Sequence, residues 1–146
     1  EARTQTDIGT YTKQYEASRA VALPVVAFND TEDPMVLAAA RFGIVNGRGN
    51  GIFDPLGSIT REEAAAMLYR TCMTLGIVQP LGTPIAFEDA RDFSPYDAEA
   101  VGYISSVIDA ISGRRVMEGT GNGKFSPRGT YTRQQAFLTV LRLFNA

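Results

Sequence analysis

The chain has 146 residues, of which 45% are hydrophobic and 21% charged, and its formal net charge is -2. This composition is typical of a globular protein with a proper core, and the slight negative charge argues against a general nucleic-acid binder. Because the sequence has no histidine, it can form no Ser-His or Cys-His catalytic pair, so we expect neither an enzyme nor a cofactor. No apolar run is long enough for a membrane span, and no signal peptide is visible. Since the chain starts at Glu1, we expect a processed chain or a fragment.

The first predicted element follows a short string that recurs near the end of the chain. Residues 9–14 read G-T-Y-T-K-Q, and residues 129–134 read G-T-Y-T-R-Q. We predict a helix capped by Thr12, running to about residue 23 and ended by Pro24, as the remnant of a further repeat. The alternative is coincidence within six residues.

The next helix is short and has clear start and stop signals. Asp33 is a good N-cap, Pro34 suits the first helical position, and Gly43 can close a helix over residues 35–42. A glycine-rich loop, G-R-G-N-G, follows at residues 47–51 and leads through Phe53 to Thr60.

A longer helix begins after Thr60, which together with Glu63 forms the pattern of a capping box. The periodicity predicts a helix over residues 61–75 ended by Gly76. Cys72 lies on its apolar stripe and, without a histidine to activate it, is interpreted as a small buried hydrophobic residue.

Two more helices are predicted in the second half of the chain. Ser94 is interpreted as the N-cap of a helix whose buried stripe extends through Ile108 and Ile111 to a stop at Gly113. The final helix is predicted from Arg133 to about residue 144.

The two halves of the chain are copies of one unit. Residues 47–64 match residues 119–136 at ten of eighteen positions without a gap, where chance at average residue usage gives about one. Each repeat contains a helix, a glycine loop, a short extended piece around Phe53 or Phe125 and a capped helix. Repeats this small must share a core, so we expect a mainly helical fold with the capped helices packed together.

The repeated motif resembles the S-layer homology (SLH) domain. The resemblance rests on F-x-D at residues 28–30 and 87–89, the G-x-G-N-G-x-F-x-P loop and the T-R helix start. It implies a mainly α, pseudo-threefold bundle of helix-loop-helix repeats with short extended pieces. Residues 1–27 would be a partial repeat and residues 28–79 and 80–146 two further repeats, together forming one compact domain. A neighbouring chain or a segment of the parent protein could complete the first repeat.

The resemblance implies a non-catalytic module that anchors exported proteins to the bacterial cell surface by binding an anionic, often pyruvylated, secondary cell-wall polysaccharide. The sequence departs from the family, because it has no tryptophan and its repeats differ in length. These departures favour the alternative of a scaffold or protein-interaction module that kept the fold and lost glycan binding.

In the family, the arginine of the T-R motif, the glycine loop and an aromatic residue line grooves between adjacent repeats. Carried over by position, the implied ligand contacts are Arg61, Arg133, Gly47, Gly49, Asn50, Gly51, Gly119, Gly121, Asn122, Gly123, Lys13 and Tyr96.

The residues themselves leave alternatives open at these positions. An arginine beside the free N–H groups of a helix start suits a carboxylate ligand, but it could equally pair with Asp30 or Asp89 of the protein. The glycines could simply serve tight turns. A calcium loop is disfavoured, because Gly57 stands where a bidentate acid is needed.

Overall fold

A computed structural model describes residues 8–76 and 81–146 of the protein. These residues form five α-helices: α1 (Ile8–Arg19), α2 (Pro34–Arg41), α3 (Arg61–Leu75), α4 (Ala98–Ser106) and α5 (Arg133–Asn145). A short 3-10 turn covers Ala90–Asp92. Extended segments of the described chain pair only through isolated bridges and form no sheet, so the predicted mainly α fold is confirmed. No helix within these residues is both long and apolar enough to cross a membrane.

The chain divides into two compact units, residues 1–57 and 58–146. The first contains α1, α2 and the first glycine loop, and the second contains α3, α4, the second glycine loop and α5. The repeat boundaries after residues 27 and 79 stay a prediction, and the second of them lies outside the described residues.

In the first unit, the predicted start of α2 is confirmed. The Asp33 carboxylate accepts hydrogen bonds from the N–H groups of Met35 and Val36, and Pro34 occupies the first turn. These contacts satisfy N–H groups that have no partner within the helix. The helix ends at Arg41, Phe42 is its C-cap, and Gly43 follows with a φ of 72°.

The predicted bounds of α1 are wrong. The helix begins at Ile8 and ends at Arg19, so Thr12 lies inside it with a buried side chain instead of capping its start. Packing sets this register, because Tyr11 and Tyr15, one turn apart, both place their rings against Phe42. The helix ends well before Pro24, since Ala20 has a φ of 50°.

The core of the second unit lies where α3, α4 and the second loop meet. Its buried side chains are Ala65, Cys72, Phe87, Val101, Ile104, Val107, Val116, Met117 and Phe125. Cys72 is free and fully buried, as predicted, and burial raises the pKa of its thiol.

The predicted capping box at the start of α3 is confirmed, and the structure has a second one at the start of α5. In α3, the Thr60 hydroxyl accepts from the Glu63 N–H while the Glu63 carboxylate accepts from the Thr60 N–H. Thr132 and Gln135 repeat this exchange at α5. The predicted end of α3 at Gly76 is confirmed, and this glycine adopts the left-handed conformation.

The predicted extent of α4 is wrong at both ends. The helix starts after Asp97, and the Ser94 hydroxyl bonds to Glu62 instead of capping it. It stops at Ser106 because Val107 turns to an extended conformation and bridges Leu81, and Ile108 bridges Arg115. The β-branched residues after Ser106 therefore continue the apolar pattern without continuing the helix.

The expectation that the capped helices pack on each other is not met within the second unit. Helix α3 packs mainly against α4, where the rings of Tyr69 and Tyr103 lie 5.2 Å apart. The segment before α5 instead joins the segment before α3 through backbone pairing, in which the Tyr131 N–H donates to the Ile59 carbonyl.

Candidate functional site

The two glycine loops contain the same tight turn. In the first loop, Asn50 and Gly51 have φ values of 51° and 72°, and the Ile52 N–H donates to the Gly49 carbonyl at 2.9 Å. The second loop repeats this geometry, with φ values of 49° at Asn122 and 68° at the glycine that follows it. There the Lys124 N–H donates to the Gly121 carbonyl at 3.0 Å. Two successive positive φ values define a type I′ turn, for which Asn-Gly is the favoured pair.

Two of the loop glycines are required by close backbone approach. A Cβ atom at Gly47 would lie 2.6 Å from the Ile52 carbonyl oxygen, and one at Gly119 would lie 2.7 Å from the Lys124 carbonyl oxygen. Gly49 and Gly121 differ, because no atom lies within 4 Å of a Cβ atom placed there. Only the latter pair therefore leaves open space beside the backbone for a ligand.

An aspartate in each F-x-D segment accepts hydrogen bonds from the backbone of the residues that follow the turn. The Asp30 carboxylate accepts from the Phe53 and Asp54 N–H groups at 2.9 and 2.7 Å. The Asp89 carboxylate accepts from the Phe125 and Ser126 N–H groups at 2.9 and 2.8 Å. Both carboxylates are therefore engaged by backbone amides.

These bonds lower the pKa of both aspartates. For Asp30 the N–H of Phe53 is the main cause, followed by that of Asp54. For Asp89 burial opposes the shift, but the N–H groups of Phe125 and Ser126 outweigh it. A carboxylate held by two donors is stabilised in its ionised form.

Arg61 holds the second loop together. Its side chain is only 6% exposed, its Nε donates to the Phe125 carbonyl at 2.8 Å, and its Nη2 donates to the Glu118 carbonyl at 2.7 Å. The guanidinium also lies over the Phe125 ring, 4.8 Å from its centre. Its described partners are thus carbonyls of the chain and not the carboxylates of Asp30 or Asp89.

The backbone N–H groups at the start of α3 also form hydrogen bonds within the protein. The Arg61 N–H donates to the Gly129 carbonyl and the Glu62 N–H to the Pro127 carbonyl. The free N–H groups that would attract an anion are therefore bonded. A ligand contact by Arg61 stays a prediction, and its burial disfavours it.

Glu62 is a buried carboxylate that supports an exposed arginine. Its side chain is 2% exposed and accepts from the Ser94 N–H at 2.9 Å and from the Ser94 hydroxyl at 3.1 Å. Its Oε1 lies 3.0 Å from Arg128 Nη1, while the Arg128 side chain remains 69% exposed. Burial, followed by the proximity of Glu62, raises the pKa of nearby Asp97.

The sequence interpretation missed Arg128. The signal available was its place in the loop, between the motif proline and the last motif glycine, where the first copy has Leu56. Nothing local in the sequence pairs it with Glu62, which lies 66 positions earlier. An arginine has five N–H donors, and the exposed part of this guanidinium is accessible to a ligand.

Arg133 differs from its counterpart Arg61. Its side chain is exposed, and within the described residues it forms no hydrogen bond or ion pair. The N–H groups of Arg133 and Gln134, at the start of α5, have no carbonyl partner in the described part of the chain. The features that favour an anion are therefore retained at α5.

The remaining predicted contacts outside the loops are Tyr96 and Lys13. Tyr96 is 94% exposed and follows Ser94, a partner of Glu62, by two residues. Lys13 is exposed within α1 and not at a helix start, so it does not reproduce the position of Arg61. No described group of His, Cys, Asp and Glu residues is arranged to hold a metal ion.

Comparison with protein families identifies the repeat. The S-layer homology domain model matches residues 32–65 and 86–137, which is more than half of the chain. The chain belongs to the S-layer homology family. SLH domains are known as cell-wall anchoring modules, and the family places this SLH chain at the bacterial cell surface.

Relatives of the SLH chain are much longer proteins. An endoglucanase from Bacillus sp. (strain KSM-635) is 32% identical over 109 residues, which cover 74% of this chain and 11% of the enzyme. The S-layer protein sap from Bacillus anthracis is 35% identical over 92 residues, or 62% of this chain and 10% of that protein. An amylopullulanase from Thermoanaerobacterium thermosulfurigenes is 46% identical over 43 residues, which cover 30% of this chain and 2% of the enzyme.

The chain thus spans about a tenth or less of these curated relatives. The matches to the two enzymes are confined to small parts of them and carry no catalytic activity over to this SLH chain. No solved structure matches the chain.

Proposed function

We propose that this SLH chain anchors the protein to which it belongs by binding an anionic, pyruvylated secondary cell-wall polysaccharide. The observation that carries the proposal is Arg128, whose exposed guanidinium is fixed by the buried Glu62 carboxylate. A cation whose orientation is set before the ligand arrives loses less conformational freedom on binding.

The chemistry of Arg128 suits a pyruvate ketal. This group carries one carboxylate, and the planar fork of an arginine can bind a carboxylate through two parallel hydrogen bonds. Because Glu62 engages one edge of the guanidinium, other N–H donors remain for the sugar acid. The exposed ring of Tyr96, close in sequence to Ser94, offers an apolar face for a sugar ring.

Arg133 is proposed as a second contact. Its exposed side chain and the free N–H groups at the start of α5 provide a positive site without a described partner in the protein. The open backbone beside Gly121 supports an approach of the glycan to the second loop. The other implied contacts remain proposals from the family resemblance. They are Arg61, Lys13, Gly47, Gly49, Asn50, Gly51, Gly119, Asn122 and Gly123.

The repeat arrangement is part of the same proposal. The family resemblance supports a pseudo-threefold bundle in which residues 1–27 are a partial repeat and residues 28–79 and 80–146 are full repeats. A neighbouring chain or a segment of the parent protein would then complete the first repeat.

Retention on purified cell walls tests the proposal. Arg133→Ala removes an exposed side chain without a described partner, and Arg128→Lys keeps a cation near Glu62 while removing the fork. We expect each to weaken wall retention several-fold with the fold unchanged by circular dichroism. Arg91→Ala is the matched control, because Arg91 is 89% exposed and its nearest acid is 3.9 Å away. Retention of all three variants at the level of the unaltered chain would overturn the assigned contacts.

A scaffold or protein-interaction module without glycan binding is the second candidate. The burial of Arg61 favours it, because the arginine of the family motif is engaged by carbonyls of the chain. Co-sedimentation with walls stripped of their polysaccharide separates the two functions. Loss of binding supports the glycan, and binding that survives the treatment supports a protein partner.

A further inference from the structure

The Glu62 carboxylate is held at both of its oxygens by one residue, Ser94. The Ser94 N–H donates to Oε2 at 2.9 Å, and the Ser94 hydroxyl donates to Oε1 at 3.1 Å. Because the Glu62 side chain is 2% exposed, little water reaches it to replace either donor. Two bonds to the two oxygens of one carboxylate fix its position and also the plane in which it lies. Ser94 therefore sets the direction in which Glu62 presents its charge.

The backbone on either side of Arg128 is fixed by the start of α3. The Glu62 N–H donates to the Pro127 carbonyl at 3.1 Å, and the Arg61 N–H donates to the Gly129 carbonyl at 2.9 Å. The main chain at position 128 is thus held between two bonded carbonyls. The freedom that remains to Arg128 lies in the torsions of its long side chain.

The Arg128 side chain is directed by the same carboxylate oxygen that Ser94 engages. Its Nη1 lies 3.0 Å from Oε1 of Glu62, and this oxygen also accepts from the Ser94 hydroxyl. A carboxylate oxygen has two lone pairs, so the hydroxyl takes one and leaves the other to the guanidinium. With Oε2 engaged by the Ser94 N–H, a contact at one corner of the guanidinium is favoured over two parallel bonds. The other N–H donors of the fork then remain for a ligand.

We propose that Ser94 is a positioning residue of the polysaccharide site, which holds Glu62 so that Arg128 keeps its N–H donors for the acid group of the sugar. The inference rests on the proposed function of Arg128 and adds the residue that sets its orientation. Without the hydroxyl, Oε1 has a free lone pair, and the guanidinium can turn to pair with the carboxylate through two parallel bonds. A fork engaged in this way has fewer donors for the ligand, so affinity falls although the charge of the site is unchanged.

A double-mutant cycle in urea, without polysaccharide, tests the contact itself. Once the Ser94 hydroxyl is removed, Glu62 depends more strongly on Arg128. Arg128→Ala should therefore raise the unfolding constant about threefold more in the Ser94→Ala chain than in the unaltered chain. An equal effect of Arg128→Ala in the two chains would overturn the inference, whether or not the chain binds the polysaccharide.

Calorimetric titration with purified secondary cell-wall polysaccharide tests the consequence for binding. Ser94→Ala should lower the affinity about fivefold, whereas Ser94→Thr keeps a hydroxyl and should stay within about twofold of the unaltered chain. Ser112→Ala is the matched control, because the Ser112 hydroxyl also donates to a carboxylate, that of Asp109, and its loss should leave the affinity unchanged. Circular dichroism verifies that each variant is folded at the temperature of the titration.

A chain that already carries Arg128→Lys tests whether Ser94 acts through Arg128. A lysine has no fork that Glu62 could engage, so adding Ser94→Ala should leave the affinity nearly unchanged. A loss of the same size in both backgrounds, or full affinity in Ser94→Ala alone, would overturn the inference. Equal affinity of the unaltered chain for the polymer with and without its ketals would instead contradict the proposed function, while the urea cycle still reports the hold of Ser94 on Arg128.

Discussion

Arg61 and Phe125 lie 64 positions apart, and the guanidinium of Arg61 donates to the Phe125 carbonyl at 2.8 Å while covering the Phe125 ring. Through this contact the start of α3 is fastened to the second glycine loop, and the arginine of the family motif becomes part of the core. We therefore propose the exposed arginines, Arg128 and Arg133, as ligand contacts.

Replacing Arg61 should therefore affect stability first. In Arg61→Ala, the carbonyls of Phe125 and Glu118 lose a charged donor in a buried setting, which we expect to lower the free energy of unfolding by about 2–4 kcal/mol. Urea unfolding followed by circular dichroism measures the change. Arg91→Ala should stay within about 0.5 kcal/mol. If Arg61→Ala is as stable as this control and loses wall binding, Arg61 is a ligand contact after all.

The buried Glu62 carboxylate should be more costly to remove than its exposed partner. Glu62→Ala leaves the two Ser94 donors and Arg128 without their shared acceptor. Because Arg128 is exposed and stays solvated, the loss comes mainly from the Ser94 donors, and we expect about 1–3 kcal/mol. Arg128→Ala should cost less, because both Ser94 bonds to Glu62 remain. A double-mutant cycle in urea gives the coupling between the two side chains. A coupling indistinguishable from zero would mean that Glu62 does not fix Arg128.

Gly47 and Gly49 offer a matched pair of substitutions in the first loop. Both have positive φ values, 70° and 93°, so alanine is strained at either position by about 1–2 kcal/mol. Only at Gly47 would the added Cβ also collide with the Ile52 carbonyl. Gly47→Ala should thus destabilise the chain clearly more than Gly49→Ala, as measured by thermal unfolding. Equal losses would contradict the close approach of Gly47 to the Ile52 carbonyl.

Stability should fall in acid because of the loop aspartates. The folded-state pKa values of Asp30 and Asp89 are lowered, so each binds its proton less readily when folded than when unfolded. Their contribution is complete above the unfolded pKa, near 4, and is lost as the pH falls through the lower folded value. Asp89→Asn should flatten the dependence of unfolding free energy on pH between about 5 and 2. An unchanged slope in this variant would argue against the two amide bonds to Asp89.

The sequence predicted those parts of the fold that depend on neighbouring residues. The capping box at Thr60 and the tight turns of the glycine loops are local, because each contact spans only three or four positions. The family membership also followed from motifs that lie along the chain.

The errors arose where distant contacts decide the structure. The apolar pattern continues past Ser106, but pairing of Val107 and Ile108 with other segments ends α4 there. Thr12 matched a cap in sequence, whereas packing of the tyrosines in α1 on Phe42 set a different register. The burial of Arg61 and the pairing of Arg128 with Glu62 also depend on residues more than 50 positions away.

Calorimetric titration of the chain with purified secondary cell-wall polysaccharide, before and after removal of its pyruvate ketals, tests the central claim most directly. We expect measurable binding to the intact polymer, a loss of at least about tenfold in affinity after the ketals are removed, and a similar loss for Arg128→Lys with the intact polymer. Equal affinity for both forms of the polymer, or full affinity in Arg128→Lys, would contradict the account.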